Sequence, residues 1–392
     1  MKIENAELKD RLIINKLNIP SKHIKYFRRP RFYAGYDIPI NVDKSLLNIP
    51  AVSSIITYGW VLNENIEIET LDENYIKNIQ WLKEFYEKIY DTDFRSELIV
   101  KKPVHNETES DETALFFSGG LDSTYSLFHN IEKNPRMIMI CGYDMYMSKG
   151  ITLKIRDKWV KNYREFAQKI NRRINFIYTN TREILKEDRI RFVGRKYLKN
   201  GYWGGLRHGI CLAGMGAPLT DYFKNLIMAA NGCVEWDTVT KENPYGTGVN
   251  VNPNMGWGNI KIQYDGTIHR FRKAQRIKSY LNSGDITLRV CYKSVLNLNC
   301  MECKKCLRTF SSLLIVGIDP SKCGFKVKPG TWDLSVKLFK EKKIKKRRVL
   351  IHDLPMQKYI RENNPSLPKE SRIFFDYFMN LDLEAYIDTL KK

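Results

Sequence analysis

Apolar and polar positions in the first hundred residues predict a mixture of strands and helix. The apolar run at residues 53–62 and the alternating residues 66–69 predict strands. Apolar residues at helical spacing predict an amphipathic helix over 74–90. The polar stretch 105–112 that follows is typical of a linker. We therefore predict an N-terminal α+β accessory domain over residues 1–112.

From residue 113 onward, short apolar runs alternate with longer amphipathic segments. The predicted strands are 113–117, 137–141, 174–178 and 226–230, and the predicted helices are about 122–130, 151–170 and 208–223. Repeated βα units predict an α/β fold with a parallel sheet of about five strands and helices on both faces. Connections at the carboxyl edge of such a sheet are where ligands bind. We place this domain at residues 113–290.

The composition is that of a protein with a large core and an excess of positive charge. Hydrophobic residues make up 43% of the chain, no apolar run is long enough to cross a membrane, and no signal peptide is visible, so we expect a cytoplasmic protein. Lys and Arg number 65 against 44 Asp and Glu. This balance favours polyanionic partners, although a Lys-rich genome produces the same excess. The run 337–348, in a predicted basic helical extension over 326–392, is either a docking surface or a solvated helix face.

Four of the eight cysteines are clustered with the spacing C-x8-C-x2-C-x2-C. In a reducing compartment such clusters are more often metal ligands than disulfides. Four thiolates close a tetrahedral Zn²⁺ site with no open position, which predicts a structural zinc segment over 291–325. An iron–sulfur cluster and unliganded cysteines are the alternatives, but the ferredoxin pattern lacks its final x3-Cys-Pro. The predicted ligands are Cys291, Cys300, Cys303 and Cys306.

The most specific motif is SGGLDS, directly after the first strand of the α/β domain and at the start of a helix. Its glycines allow a tight turn with exposed N–H groups, and the helix N-terminus favours negative charge, so the loop predicts a phosphate site. Asp122 would repel phosphate, so we assign it either to Mg²⁺ or to organising the loop. The motif is not a Walker loop. A solvated turn with a helix cap is the plain alternative. The residues assigned to the site are Ser118, Gly119, Gly120, Asp122 and Ser123.

SGGLDS resembles the pyrophosphate loop of the N-type ATP pyrophosphatases, which include asparagine and GMP synthetases, tRNA thiolases and lysidine synthases. The resemblance implies a five-stranded sheet of the adenine nucleotide alpha hydrolase (HUP-like) type. It also implies that ATP, with Mg²⁺, is cleaved between its α- and β-phosphates while a substrate oxygen is adenylylated. Gly142 and Asp144, after the second strand, match positions that contact the nucleoside in such proteins.

The cysteine spacing is similar to that of the 7-cyano-7-deazaguanine synthases (the QueC family). The segment 271–277 also resembles their lysine-containing segment, which implies that Lys273 stabilises the leaving pyrophosphate. By the same resemblance, Glu235 and Asp237 would bind a guanine-like base and Trp236 would stack on it. Arg207 and the neighbouring His208, at the start of a predicted helix, are candidates to contact a carboxylate or phosphate, and for His208 a helix cap is the equal alternative.

This chain is longer than a plain nitrile synthase requires, so the resemblance leaves the final acceptor open. The first hypothesis is an enlarged QueC-like synthase that joins a deazapurine carboxylate to ammonia, giving an amide or nitrile. The second is a ligase that attaches the carboxylate to a protein amine, as proposed for similar proteins in anti-phage operons. A tRNA-modifying enzyme is the third, and a zinc-containing nucleic-acid-binding module without catalysis is the fourth. The added segments could also form an oligomer interface.

Overall fold

The computed structural model describes residues 1–143, 153–291, 293 and 299–390. Its contacts divide the chain into two units. The first unit comprises Met1–Phe117, Asn130–Ala229 and Asp237–Asp265, and the second comprises Ser118–His129, Ala230–Trp236 and Gly266–Lys392. Residues 1–112, predicted as an accessory domain, therefore belong to the same unit as the later strands.

All the strands found among the described residues lie in the first unit and join one sheet. They are β1 (Lys2–Ile3), β2 (Glu7–Lys9), β3 (Leu12–Asn18), β4 (Arg31–Tyr36), β5 (Ile66–Asp72), β6 (Leu98–Val104), β7 (Thr113–Phe116), β8 (Arg136–Cys141), β9 (Ile174–Thr179), β10 (Asn225–Ala229) and β11 (Lys261–Asp265). Their order is β11-β10-β7-β8-β9-β4-β3-β1-β5-β6, with β2 paired to β3.

The sheet is mixed, and its parallel part contains the predicted strands. β11, β10, β7, β8 and β9 are parallel neighbours, with Leu115 opposite both Ile227 and Met137. The predicted five-stranded sheet is not confirmed as a separate sheet. Because β4 pairs antiparallel with β9, the five parallel strands belong to a larger sheet of eleven strands. Ala34 lies opposite Thr179 in that pair. The two strands are far apart in sequence, so no local pattern indicated their pairing.

The helices complete the α/β architecture. They are α1 (Lys44–Leu47), α2 (Ile49–Leu62), α3 (Glu73–Tyr90), α4 (Leu121–His129), α5 (Leu153–Lys169), α6 (Thr181–Ile184), α7 (Glu187–Val193), α8 (His208–Gly214), α9 (Val234–Asp237), α10 (Arg270–Arg276), α11 (Lys278–Asn282), α12 (Lys304–Leu314), α13 (Thr331–Lys340), α14 (Lys346–Arg348), α15 (Leu354–Asn363), α16 (Arg372–Asn380) and α17 (Leu383–Asp388). Short 3₁₀ segments and two π-helical segments, Trp203–Arg207 and Val349–Asp353, connect them. Among these helices, none is both long and apolar enough to cross a membrane.

One local prediction is wrong: residues 53–62 belong to helix α2 and not to a strand. Every residue from Ile49 to Val61 is buried, so the helix has no polar face and its sequence shows no helical period. The amphipathic α3, by contrast, was predicted within one residue. Asp72 caps it by accepting a hydrogen bond from Tyr75 N at 2.8 Å.

The central strands of the first unit are mostly apolar because they lie in its core. All residues of β7 and β8 are buried, as expected for strands covered on both faces. The amphipathic helix α5 contributes Trp159, Val160 and Tyr163 from its buried side.

Helices of the predicted C-terminal extension pack within the second unit around aromatic side chains. Trp332 of α13 stacks on Phe374 of α16, and Phe339 of α13 contacts Phe378 of α16 edge to face, with ring centroids 5.7 Å apart. Trp332 also lies 5.2 Å from Phe310 of α12. The extension therefore shares its core with the helix that follows the cysteine cluster.

Candidate functional site

Loop 118–123 connects β7 to the first turn of α4. Gly119 has a φ of +71°, in the left-handed region that glycine adopts without strain, and its carbonyl accepts a hydrogen bond from Arg289 N at 2.8 Å. The first helical bond runs from Thr124 N to Gly120 O at 2.9 Å. The amide groups of the first turn have no acceptor inside the helix, which is the arrangement that binds phosphate oxygens.

The two serines of the loop lie side by side. The hydroxyl oxygens of Ser118 and Ser123 are 3.1 Å apart, and Ser118 N donates to the Ser123 hydroxyl at 3.2 Å. Ser123 in turn donates to Gly120 O at 3.2 Å. Ser118 is exposed and Ser123 is buried. The loop therefore presents one accessible hydroxyl that is oriented by a buried one.

Asp122 joins the loop to helix α10. Its carboxylate accepts from Arg270 Nη2 at 2.5 Å and from Lys273 Nζ at 3.0 Å. Lys273 also donates to Ala230 O at 2.6 Å. The side chains of Lys273 and Arg270 are 0% and 4% exposed, and that of Asp122 is 18% exposed. Two buried cations thus share one carboxylate beside the loop.

The charges at this cluster determine the ionisation of Asp122. Burial by itself would raise the pKa of Asp122, but Arg270 and Lys273 outweigh burial and lower the pKa from 3.8 to about 2. Asp122 is therefore a carboxylate at neutral pH. With two cations and one anion, the cluster keeps an excess positive charge, which suits a phosphate group.

Mg²⁺ does not fit this arrangement at Asp122. Both carboxylate oxygens are engaged by cations, at 2.5 Å and 3.0 Å, and those cations would repel a metal ion. Of the two roles predicted for Asp122, the geometry favours organising the loop. We therefore assign no magnesium chemistry to this residue.

The four clustered cysteines meet in the second unit. Their sulfur atoms all lie within 4.8 Å of one another, and all four residues are buried. Cys291 and Cys303 are 3.9 Å apart, Cys300 and Cys306 are 3.9 Å apart, and Cys303 and Cys306 are 3.4 Å apart. Cys303 and Cys306, which have the spacing C-x2-C, lie at the start of α12. Cys303 caps this helix by accepting a hydrogen bond from Cys306 N.

These distances fit a single tetrahedral ion. Metal–sulfur bonds of about 2.3 Å place the sulfurs of a tetrahedral site about 3.8 Å apart. Backbone amides also point at the sulfurs, from Lys293 to Cys291 at 3.3 Å and from Cys303 to Cys300 at 3.2 Å. An iron–sulfur cluster would divide the four cysteines among two or four irons and would therefore hold some of the sulfurs further apart. The group could therefore hold one metal ion such as zinc.

Gly142 is placed where only glycine fits. Its φ is +102°, and a Cβ there would lie 1.8 Å from Thr179 O. Gly142 belongs to the first unit. Glycine is therefore required at this position for steric reasons that are independent of any ligand. The contact between Gly142 and a nucleoside stays a prediction. Asp144 lies outside the described residues.

Arg207 is occupied by internal partners. Its side chain is 0% exposed, and it donates to Ser54 O at 2.9 Å, to Thr181 O at 2.7 Å and to Glu187 at 2.6 Å. The guanidinium therefore holds α2, α6 and α7 together. A contact between Arg207 and a substrate stays a prediction. The adjacent His208 is half-buried, and its carbonyl accepts a hydrogen bond from the Tyr143 hydroxyl.

The three residues predicted to bind a base are divided between the units. Glu235 and Trp236 belong to the second unit and Asp237 to the first. Glu235 is exposed, and a hydrogen bond from Cys233 lowers its pKa. Trp236 is half-buried, and its backbone carbonyl accepts a hydrogen bond from Arg347 Nη2 at 3.3 Å. Asp237 is buried. Their role in binding a base stays a prediction.

Sequence reasoning missed Arg270 and Asn299. Arg270 lies three residues before Lys273 and so on the same face of α10, a spacing that could have indicated a second cation. Asn299 is buried and ties the cysteine segment together through Val290 N at 3.0 Å and Leu288 O at 2.8 Å. Its position one residue before Cys300 carried no recognisable signal.

Comparisons with protein families, with curated proteins and with solved structures gave no match to this chain.

Proposed function

We propose that this protein is an ATP-dependent enzyme that adenylylates a carboxylate, releases pyrophosphate and transfers the acyl group to ammonia or another amine. The observation that carries the proposal is the SGGLDS loop at the start of α4, joined through Asp122 to the buried cations Arg270 and Lys273. The resemblance to the QueC family suggests the substrate, a deazapurine carboxylate such as 7-carboxy-7-deazaguanine.

The loop would bind the phosphates that leave. Amide groups of the first α4 turn and the exposed Ser118 hydroxyl supply hydrogen-bond donors that carry no negative charge. Of the three N–H groups of Lys273, two have partners among the described residues, Asp122 and Ala230. The Lys273 side chain is 0% exposed, so it would act on the phosphates through its positive charge. Asp122 would hold Lys273 and Arg270 in place, and the positive charge of these two side chains would stabilise the negative charge of the pyrophosphate.

The proposed reaction proceeds in two steps. An oxygen of the substrate carboxylate attacks the α-phosphorus of ATP, the bond to the bridging oxygen breaks, and pyrophosphate leaves with that electron pair. An amine then attacks the acyl carbon, AMP leaves, and the amine loses a proton to give an amide. A nitrile product requires a second ATP to activate the amide oxygen. Donors that stabilise charge as the pyrophosphate departs lower the barrier of the first step.

For the cysteine cluster we propose one structural zinc ion. Four thiolates leave no open coordination position, so the ion would supply no catalytic water. The sulfur separations favour a single ion over an iron–sulfur cluster. Clustered cysteines that bind a metal are typical of a reducing compartment, so we propose a cytoplasmic enzyme.

Pyrophosphate release from ATP tests the proposal. Ser118→Ala removes an exposed hydroxyl and should lower substrate-dependent release roughly 100-fold without changing Tm. Lys273→Met should lower release roughly 100- to 1000-fold. The matched control is Lys278→Met, which removes a half-buried lysine five residues further on and should retain activity. Full turnover in Ser118→Ala and Lys273→Met would show that neither side chain takes part in pyrophosphate release.

A further inference from the structure

Two strongly basic segments of the first unit lie against each other. The first, residues 21–31, follows β3, and the second, residues 184–199, contains α7. Arg28 N donates to Ile184 O at 2.7 Å and Lys186 N donates to Tyr26 O at 2.8 Å. Arg189 Nη1 reaches across to Lys25 O at 2.9 Å. The two segments therefore form one continuous surface, although more than 150 residues separate them in sequence.

This surface carries an uncompensated positive charge. Its exposed guanidinium groups, which we call the arginine patch, belong to Arg28, Arg29, Arg31, Arg189, Arg191 and Arg195. Within the part of the chain that the structure describes, none of the six forms an ion pair. The neighbouring acid Glu187 instead contacts Arg207 at 2.6 Å and Arg182 at 3.2 Å. Asp188 is the exposed acidic residue of the two segments.

An exposed aromatic ring lies within the arginine patch. Phe192 is 65% exposed, and the guanidinium of Arg195 lies over its ring, 4.0 Å from the centroid. Arg195 Nη1 also donates to Phe192 O at 2.7 Å, which fixes the pair. A large apolar ring held in solvent among cations is available for stacking.

We propose that the arginine patch binds the phosphate backbone of a single-stranded nucleic acid, with Phe192 as a platform on which a base stacks. Arginine is suited to this because its planar fork matches two phosphate oxygens, and aromatic stacking on bases tolerates any sequence. Exposed cations outnumber exposed apolar side chains here, which favours a phosphate backbone over insertion into a membrane. This binding goes beyond the adenylylation chemistry and does not depend on it.

Fluorescence anisotropy with labelled single strands of about 20 nucleotides, RNA and DNA, tests the proposal. Between about 50 and 200 mM salt, log Kobs should fall with log salt with a slope of roughly −3.5 to −4.2, as expected for five or six contacted phosphates at about 0.7 per contact. The triple variant Arg28→Glu/Arg29→Glu/Arg191→Glu should weaken binding more than roughly 10-fold and flatten the slope by about 2. Phe192→Ala should weaken binding roughly 5- to 10-fold.

A matched control separates the patch from overall charge. Lys342→Glu/Lys345→Glu/Lys346→Glu makes the same charge change on exposed residues of the second unit and should weaken binding less than about 3-fold. Equal losses in both triple variants would overturn the proposal, since bulk charge would then explain the binding. Tight binding to anionic phosphatidylserine vesicles without binding to either strand would also overturn it. A preference for RNA or for DNA would identify the source of the phosphates.

Discussion

Asp122→Asn tests the charge cluster directly, because it changes one atom type and nearly keeps the side-chain shape. In the wild type, the carboxylate lies 2.5 Å from Arg270 and 3.0 Å from Lys273, both with buried side chains. An asparagine amide offers one oxygen and one NH₂ group, so one of the two cations would face a donor. The variant leaves two buried cations without a counter-charge.

The magnitude follows from the shift in pKa. Lowering the pKa of Asp122 from 3.8 to about 2 corresponds to about 2 kcal/mol of stability from the charged carboxylate. Breaking a buried ion pair costs about 3–5 kcal/mol, and because Asp122 is 18% exposed the loss lies toward the lower end of that range. We expect Asp122→Asn to lower the free energy of unfolding at pH 7 by about 2–4 kcal/mol.

The pH dependence gives a second signature. Because folding lowers the pKa of Asp122, the carboxylate contributes its full stability above pH 3.8 and loses it as the pH falls through about 2. The difference between wild type and variant should therefore be constant from pH 7 to about pH 5 and shrink toward pH 3. Pyrophosphate should stabilise the variant more than the wild type, since it replaces the missing anion.

Urea unfolding followed by far-ultraviolet circular dichroism, at several pH values, measures these differences. The control is Asp333→Asn, the same substitution at an exposed position in the first turn of α13, which should cost less than about 1 kcal/mol. Equal stability of Asp122→Asn and wild type at pH 7 would refute the stabilising ion pairing of Asp122 with Arg270 and Lys273. A difference that widens on acidification would refute it as well.

Three further predictions concern the loop, the cysteines and a buried arginine. Gly119→Ala forces a side chain to φ +71°, so it should cost about 1 kcal/mol and lower pyrophosphate release; unchanged Tm and turnover would contradict the assigned turn. Cys303→Ser should reduce the metal content, measured by mass spectrometry of the purified protein, from one ion per chain toward none, whereas full retention of zinc would exclude this ligand set. Arg207→Met leaves Glu187 without its 2.6 Å partner and should lower the free energy of unfolding by about 3 kcal/mol, and a thermal melt like that of the wild type would disprove this structural role.

Local patterns in the sequence were sufficient for four of the parallel strands and for the two motifs, whereas β11 was not predicted. The apolar runs predicted β7, β8, β9 and β10 within about a residue, because strands buried on both faces lack polar positions. The spacing of the cysteines predicted a shared site since C-x2-C places two sulfurs on one turn. Both signals lie within short segments of chain.

What the sequence could not predict depends on contacts between distant residues. In β4, Phe32, Ala34 and Tyr36 are buried in alternation, a clear strand pattern, yet nothing in it indicates pairing with β9. Arg270 and Asp122 are separated by 148 positions, so their ion pair is visible only in the fold. Helix α2 is buried on all sides, and its apolar content was therefore mistaken for a strand.

In the proposed reaction, a substrate carboxylate attacks the α-phosphorus of ATP at the SGGLDS loop. The most direct test supplies 7-carboxy-7-deazaguanine labelled with a heavy oxygen isotope in its carboxylate, together with ATP and ammonium, and examines the products by mass spectrometry. We expect AMP that carries one heavy oxygen, pyrophosphate without label, and roughly 100-fold less of both products with Ser118→Ala. Unlabelled AMP, or ADP and phosphate in place of AMP and pyrophosphate, would contradict the proposed reaction.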